Sequence, residues 1–300
     1  MNSGPTHRQP PPVTVGIDLG GTGTRVVALD PHGVICHQLT TPTPTGLTPE
    51  RAVAGLLTTV TAAADGFTLQ AVGIGASGPL DAGGVIRNPD TLPAFSDIPL
   101  TRMITDHLGV PCVIDNDSVT AAIGEHTYGA GRASNALLVL TLGTGIGVAM
   151  LIGGRPVRAA DGSHPEAGHI AIPGPPAPCY CGLPTCWEQL ASRTALNTLT
   201  RQTTDDLAVR ARAGDPAATG LFDQFGHHVG AGLATLLTLY KPDRVLIGGG
   251  AAPHLDLFRA AMTRQLHRSA TYQSTQTVDA AELGSIAGAV GAAVISRQRP

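Results

Sequence analysis

Aromatic residues are scarce in this chain of 300 residues, at 3% with a single tryptophan, so Ala, Val, Leu and Ile have to build the core. There is no charge-free apolar stretch of the roughly 20 residues that a membrane-spanning helix needs. Residues 1–12 are polar and proline-rich and lack the apolar run of a signal peptide. We therefore expect a cytoplasmic protein without a membrane anchor, in which residues 1–12 form a disordered tail.

The chain also lacks an excess of charge of either sign. Its 19 Lys and Arg residues against 22 Asp and Glu residues give a net charge of −3, so neither nucleic acid nor an anionic membrane is an expected partner. Cysteine is sparse as well, at five residues, and three of these crowd into the segment from Cys179 to Cys186. An odd, crowded set favours metal ligation in a reducing compartment over a disulfide framework.

Glycine, by contrast, is abundant at 38 residues. The order strand, strand, strand, helix, strand, helix occurs loosely twice, beginning at Val13 and again at Ala136. This predicts an α/β fold of two related domains with ligand bound in a central cleft. We expect a small domain over residues 13–120, completed by a C-terminal helix at about 285–300, and a large domain over 121–284.

A Gly-Thr cluster follows the first predicted strand and comprises Asp18, Gly20, Gly21, Thr22 and Thr24. Glycines here expose backbone N–H groups and threonine adds hydroxyl donors, which suits a phosphate, while the Asp18 carboxylate suits a hydrated Mg²⁺. A glycine-rich hairpin without a ligand explains the cluster equally well when it is taken alone.

The same arrangement recurs after the first strand of the second half, at Gly143, Thr144 and Gly145. Two such turns at equivalent points of a duplicated fold favour phosphate binding, and neither fits the Walker A pattern. A third cluster, Gly248, Gly249 and Gly250, ends a later strand and would let adenine or ribose lie against the backbone. A plain strand-to-helix turn is an almost equally good explanation of this third cluster.

A histidine precedes the three crowded cysteines in the pattern H-x9-C-x-C-x4-C. The one imidazole and three thiolates form the ligand set of a closed structural zinc site: His169, Cys179, Cys181 and Cys186. Free thiols are the alternative, but the proline-rich loop needs something to hold it. We therefore predict zinc here, followed by a helix over Cys186–Leu199.

Together these segments resemble the ROK family (repressors, open reading frames, kinases). The motifs that carry the resemblance are Asp18-Leu19-Gly20-Gly21-Thr22, Asn116-Asp117, Leu142–Gly147, Glu166-Ala167-Gly168-His169, Gly248-Gly249-Gly250 and the zinc spacing. The likeness extends from Val13 to Val294. It implies a duplicated actin-like ATPase fold (ribonuclease H-like), ATP and Mg²⁺ as ligands, structural Zn²⁺ and a homodimer.

The resemblance also implies roles for individual residues. Asp117 is the implied base for phosphoryl transfer, and Asn116 is implied to orient the sugar. Independently of the resemblance, the residue types let either Asp117 or Ser118 cap the helix that runs to about Tyr128. The remaining implied sugar contacts are Gly78, Asp90 or Thr91, Glu166, His169 and Glu188. Glu188 is also explained by a charge favoured at a helix N-terminus.

The implied reaction is the ATP-dependent phosphorylation of the primary, 6-hydroxyl group of a hexose. Family glucokinases carry Pro-Asn-Leu where this chain has Pro89-Asp90-Thr91-Leu92, and Arg193 stands where glycine is common. The expected sugar is glucose or, if Asp90 faces the pocket, a glucose-like amino sugar such as kanosamine, because a carboxylate in place of the amide would favour a cationic group. Fructose and N-acetylmannosamine are the alternative sugars, and polyphosphate is an alternative donor.

Two other classes of function are less well matched. ROK repressors carry an additional N-terminal helix-turn-helix domain, which residues 1–12 are too few to form. A non-catalytic sugar sensor would not need Asp18, Asp117 and both Gly-Thr loops.

Overall fold

The computed structural model describes residues 10–268 and 277–298. The strands are β1 (Pro12–Leu19), β2 (Thr24–Leu29), β3 (Ile35–Thr41), β4 (Thr68–Ala76), β5 (Cys112–Asn116), β6 (Ala136–Leu142), β7 (Ile146–Ile152), β8 (Arg155–Pro156), β9 (Arg244–Gly248) and β10 (Thr277–Ala280). The α-helices are α1 (Pro49–Ala63), α2 (Leu100–Leu108), α3 (Asp117–Tyr128), α4 (Trp187–Ala191), α5 (Arg193–Thr200), α6 (Thr204–Arg212), α7 (Pro216–Tyr240), α8 (Leu255–Leu266) and α9 (Ala287–Gln298).

The predicted N-terminal tail extends too far into the chain. Residues 1–9 of it lie outside the described residues, but Pro12 already belongs to β1. The carbonyl of Pro11 accepts a hydrogen bond of 2.9 Å from the amide of Thr68, because the chain already runs beside β4 here. Within the described ranges, no helix combines the length and the apolar character that crossing a membrane would demand.

The chain divides into two compact units. Unit 1 comprises residues up to 124 with 159–164 and 286–300, and unit 2 comprises residues 125–158 and 165–285. The division falls inside α3, which continues without a break from Asp117 to Tyr128.

Each unit contains one five-stranded mixed sheet, and the two sheets share a topology. Unit 1 has the order β3-β2-β1-β4-β5 and unit 2 has the corresponding order β8-β7-β6-β9-β10. In each, the first three strands are antiparallel neighbours, whereas the last two run parallel to the first. The predicted duplicated α/β fold of the actin-like ATPase type is thereby confirmed.

The two faces of the unit 1 sheet pack differently. Alternate side chains of β1, among them Val15 and Ile17, enter a core shared with α1 and α2. On the opposite face, a Cβ atom on Gly16 would lie 1.9 Å from the carbonyl oxygen of Ala289 in α9. Glycine therefore lets α9 rest directly on the sheet, and Asp18 lies on this same face because it is two residues further along β1.

The core of unit 2 lies largely between its sheet and α7. Trp187, at the start of α4, is fully buried, and its indole N–H donates to the carbonyl of His228 at 2.9 Å. A Cβ atom on Gly232 would lie 2.1 Å from the indole ring, so this glycine makes the space that the ring fills. This anchoring fixes the orientation of α4 and of its next residue, Glu188.

The helix predicted over Cys186–Leu199 is wrong in one respect, because the chain forms two helices there. Ser192 is extended, with φ −79° and ψ 159°, and separates α4 from α5. Its hydroxyl accepts a hydrogen bond of 3.0 Å from the amide of Ala195, so Ser192 is the N-cap of α5. The residues on either side, Ala191 and Arg193, therefore belong to different helices.

Candidate active site

Loops that follow parallel strands gather at one edge of the unit 1 sheet. β1, β4 and β5 are parallel and end at Leu19, Ala76 and Asn116. Their carboxyl ends therefore meet, which is where ligands bind in open α/β sheets. The first Gly-Thr cluster, Gly78 and the Asn116-Asp117 pair, all predicted site residues, consequently lie at the same edge.

The Asn116-Asp117 pair is held by a dense set of hydrogen bonds. The carboxamide oxygen of Asn116 accepts from the amide of Ser118 at 2.9 Å, and its NH2 group donates to the carbonyl of Gly78 at 3.4 Å. The N-cap of α3 is therefore Asn116, whereas Asp117 or Ser118 was predicted. Asn116 takes this role because it directly precedes the first residue of the helix. The Asp117 carboxylate accepts from the hydroxyls of Ser118, at 3.2 Å, and of Ser77. Burial nevertheless raises the pKa of Asp117.

Asp18 is the second carboxylate at this edge. Burial, and after it the charge of Asp117, raises the pKa of Asp18 from 3.8 to about 7, although Arg25 opposes the shift from 3.5 Å. A Cβ atom on Gly288 in the first turn of α9 would lie 3.0 Å from the Asp18 carboxylate. Asp117 thus contributes to the raised pKa of Asp18, and a divalent cation bound by Asp18 would lower that pKa by stabilising the charged carboxylate.

The remaining unit 1 candidates differ in exposure. Thr24 is buried, and its hydroxyl bonds to that of Thr43, 2.8 Å away, which in turn donates to the carbonyl of Gly20 at 2.6 Å. Thr24 therefore braces the loop from within, whereas Thr22 at its tip is exposed. A Cβ atom on Gly21 would lie 2.4 Å from the methyl of Thr91, so Thr91 covers this loop. Its neighbour Asp90 is exposed.

In unit 2, Glu188 supports the second Gly-Thr loop. Its carboxylate accepts from the amide of Ile146 at 3.1 Å, and a Cβ atom on Gly145 would lie 2.3 Å from the same oxygen. On the other side, a Cβ atom on Gly168 would lie 2.0 Å from the carbonyl oxygen of Ile146. The turn that carries Glu166 and His169 is thus brought against the Gly143–Gly145 loop.

The third glycine cluster lies beside that loop. β6 and β9 are parallel neighbours, so the ends of both strands meet. The amide of Ala251 donates to the carbonyl of Leu142 at 3.0 Å, and Gly249 has φ +77° with its α-carbon against the backbone of Leu142. Only glycine adopts this conformation without strain. The two predicted nucleotide loops of unit 2, Gly143–Gly145 and Gly248–Gly250, are therefore adjacent.

The four predicted zinc ligands cluster. Their ligand atoms, in His169, Cys179, Cys181 and Cys186, all lie within 4.8 Å of one another. Nδ1 of His169 faces the thiols of Cys179, at 3.6 Å, and Cys186, at 3.4 Å. One imidazole nitrogen and three sulfurs at this spacing fit a tetrahedral Zn²⁺. The other nitrogen of His169, Nε2, points away from the thiols, toward Tyr180 and Glu188.

Comparison with known proteins agrees with this geometry. The ROK family profile matches residues 14–299. The chain belongs to the ROK family. It is 32% identical to the glucokinase of Streptomyces coelicolor, over 95% of this chain and 98% of that protein.

Solved structures lead to the same family. A ROK family glucokinase from Streptomyces griseus in complex with glucose and AMPPNP is 33% identical, with a TM-score of 0.82 over 96% of this chain and 100% of that one. A ROK hexokinase from Thermus thermophilus is 32% identical, with a TM-score of 0.80 over 95% of this chain and 98% of that one. The prediction of a ROK sugar kinase is therefore confirmed.

Three residues that contact candidate residues within their own unit escaped the sequence interpretation. The Ser77 hydroxyl bonds to the Asp117 carboxylate, and the Asn88 carboxamide donates to the carbonyl of Ser77 at 3.1 Å. The Tyr180 hydroxyl lies 2.8 Å from Nε2 of His169. The position of Ser77 directly after β4, at the edge that collects the other site residues, was an available signal. Asn88 and Tyr180 lie in irregular loops and had none.

Proposed function

We propose that this protein phosphorylates the 6-hydroxyl group of glucose or of a glucose-like amino hexose, with ATP as the phosphate donor. The observation that carries the proposal is the half-buried Asp117 carboxylate, whose pKa is raised. It lies at the strand edge beside Asn116, Asp18 and the first Gly-Thr loop. Phosphoryl transfer needs a positioned carboxylate base and charge stabilisation more than covalent chemistry.

Donor binding is assigned to glycine loops in both units. In unit 1 the N–H group of Gly21 and the hydroxyl of Thr22 are assigned to phosphate oxygens, while the amide of Gly20 donates within the loop to the carbonyl of Gly23 at 3.3 Å and so holds its shape. In unit 2 the same role falls to the second loop, and the Gly248–Gly250 cluster is assigned to the adenosine. Asp18 is the residue that would hold Mg²⁺, which when bound neutralises phosphate charge.

Sugar binding is assigned to polar groups around the same motifs. In unit 1 these are the side-chain carboxamide of Asn116, the backbone of Gly78 and the segment with Asp90 and Thr91. In unit 2 they are Glu166, Glu188 and Nε2 of His169. Zn²⁺ held by the cluster would fix the imidazole through Nδ1 and so orient Nε2 for a sugar hydroxyl.

Asp117 is assigned the proton transfer. As the sugar hydroxyl attacks the γ-phosphorus, its proton passes to the Asp117 carboxylate while the bond to the ADP oxygen breaks. The raised pKa of Asp117 makes it a stronger base than an exposed aspartate. The hydroxyls of Ser77 and Ser118 hold the carboxylate in one orientation and keep it from rotating away from the sugar.

The test is a coupled assay of ADP release with Mg²⁺, ATP and a sugar panel: glucose, fructose, mannose, N-acetylmannosamine, N-acetylglucosamine, glucosamine and kanosamine. We expect one glucose-like sugar to exceed the others, and Asp117→Asn to lower kcat by at least about 100-fold while sugar binding persists. Asp65→Asn, which alters an exposed carboxylate of unit 1, is the matched control. Undiminished turnover in Asp117→Asn would refute the assignment, and no turnover of any sugar by the folded wild type would favour the sensor.

A further inference from the structure

The guanidinium group of Arg193 lies flat against the third glycine cluster of unit 2. A Cβ atom on Gly250 would be 2.9 Å from Cζ, from Nε and from Nη1 of Arg193 alike. Because these three atoms of the planar guanidinium group are equally distant, Gly250 lies over the face of the group and not beside its edge. Because guanidinium N–H groups point outward in that plane, the edge of Arg193 is left free to donate.

Arg193 also touches the second Gly-Thr loop, through its backbone. Its amide, in the first turn of α5, donates to the carbonyl of Gly143 at 3.0 Å. One residue thus joins both predicted nucleotide loops of unit 2, with its main chain on one and its side chain on the other.

The charge of Arg193 is uncompensated among the residues that the structure describes. The residue is half-buried, yet its guanidinium makes no hydrogen bond or ion pair to any of them. Other arginines of unit 2 do have partners, such as Arg210 with Asp215 and Arg212 with Asp256. A partly desolvated cation without an anion is unfavourable, so an anionic ligand would stabilise this one.

We propose that Arg193 grips the phosphate chain of the donor, by donating to the non-bridging oxygens of phosphates that are not transferred. This deepens the proposed function and rests on it, since the same two loops are assigned to the nucleotide. A phosphate chain supplies oxygens in the spacing that the guanidinium fork matches. The chain can come from a nucleotide or from inorganic polyphosphate, which offer the same chemistry.

The experiment is a set of direct binding measurements by calorimetry, which do not depend on turnover. The ligands are Mg²⁺·ADP, adenosine and tripolyphosphate, and the proteins are wild type, Arg193→Gln, Arg193→Lys and Arg201→Gln. Arg201 is the matched control because it is an exposed arginine at the other end of α5.

We expect Arg193→Gln to raise the Kd of Mg²⁺·ADP by about 10- to 100-fold, the loss of one charge-assisted contact, with adenosine unchanged. Arg193→Lys keeps the charge but loses the forked geometry, so its Kd for Mg²⁺·ADP should lie between those of wild type and Arg193→Gln. The Kd of Arg201→Gln should equal that of wild type. If wild type also binds tripolyphosphate and Arg193→Gln weakens that binding, the site accepts inorganic polyphosphate as well as a nucleotide. If wild type does not bind it, the nucleotide is the source.

Unchanged Mg²⁺·ADP affinity in Arg193→Gln would overturn the proposal. An adenosine affinity that falls as much as the Mg²⁺·ADP affinity would also overturn it, because the side chain of Arg193 would then stack on the purine. Tighter ADP binding would overturn it too, since the side chain would then be an obstruction. A wild type that binds Mg²⁺·ADP but phosphorylates no sugar would refute the proposed function and leave the role of Arg193 standing.

Discussion

Asp18→Asn should stabilise the ligand-free protein even though it removes a proposed functional group. The Asp18 side chain is 18% exposed, and burial and the nearby Asp117 raise its pKa from 3.8 to about 7. An acid whose pKa is raised by folding is penalised whenever it ionises in the folded state. Asparagine has nearly the same shape and cannot ionise.

The magnitude follows from the shift. Each pKa unit is worth about 1.4 kcal/mol, so at pH 8 the ionised carboxylate costs up to about 4 kcal/mol of unfolding free energy. Between pH 4 and 7 the folded protein retains a proton that the unfolded chain has lost, so stability falls as the pH rises. At pH 5 most of the penalty is absent, and the gain from asparagine should be only about 1 to 2 kcal/mol.

The assay is urea unfolding at pH 5, 6, 7 and 8 without Mg²⁺ or nucleotide, followed by hydrogen exchange of peptides from β1 and β4. These peptides report on unit 1 separately from unit 2. Asp65→Asn is the control and should show no pH-dependent gain. An Asp18→Asn protein that is less stable than wild type at pH 8, or whose gain grows toward acid, would refute the reasoning.

Three further predictions concern the proposed site. Because burial raises the pKa of both Asp18 and Asp117, kcat/KM should rise with pH, and the apparent pKa of this rise should lie well above the ordinary pKa of aspartate. Arg25 lowers the pKa of Asp18, so Arg25→Gln should raise the apparent pKa in the pH–rate profile further, and a lower apparent pKa would contradict this prediction. Removal of one thiol of the proposed zinc site by Cys181→Ser should raise the sugar KM about tenfold with the ATP KM unchanged, and equal changes in both would contradict a role through His169. Tyr180→Phe should lower the sugar KM about two- to tenfold, since the Tyr180 hydroxyl is hydrogen-bonded to Nε2 of His169 and competes with the sugar for it. A higher KM would mean that the Tyr180 hydroxyl itself binds sugar.

Much of the fold could be predicted because buried strands have a strong local signal. β6 and β7 are largely apolar runs separated by Gly143-Thr144-Gly145, and their observed limits, Ala136–Leu142 and Ile146–Ile152, coincide with the ends of those runs. β10 escaped prediction because Thr277–Ala280 is a short edge strand that carries few apolar residues. Such a strand is defined by its hydrogen bonds to β9, which no local pattern encodes.

The site could be predicted as far as motifs reach. Motifs singled out Asp117 and Glu188 as candidates, but the contact between Glu188 and the amide of Ile146 joins residues far apart in the chain, so no motif contains it. Arg193 was noticed only as a departure from a common glycine, and its position on Gly250 depends on the break at Ser192 that sequence did not reveal. Contacts between loops decide such details, and sequence periodicity carries no information about them.

Asp90 is where the choice between glucose and an amino sugar can be tested. Its carboxylate is exposed, while its neighbour Thr91 covers Gly21. Attraction between an exposed carboxylate and an ammonium group is worth about 1 kcal/mol or less, so Asp90→Asn should lower the preference for kanosamine over glucose by no more than about fivefold. Because salt screens exposed charges, the same ratio should fall in wild type at high ionic strength. The measurement is the ratio of kcat/KM values for the two sugars, with Asp97→Asn, another exposed carboxylate of unit 1, as control. An unchanged ratio would show that Asp90 does not select the sugar, whereas a loss of 100-fold or more would require a desolvated contact that the exposure of this side chain argues against.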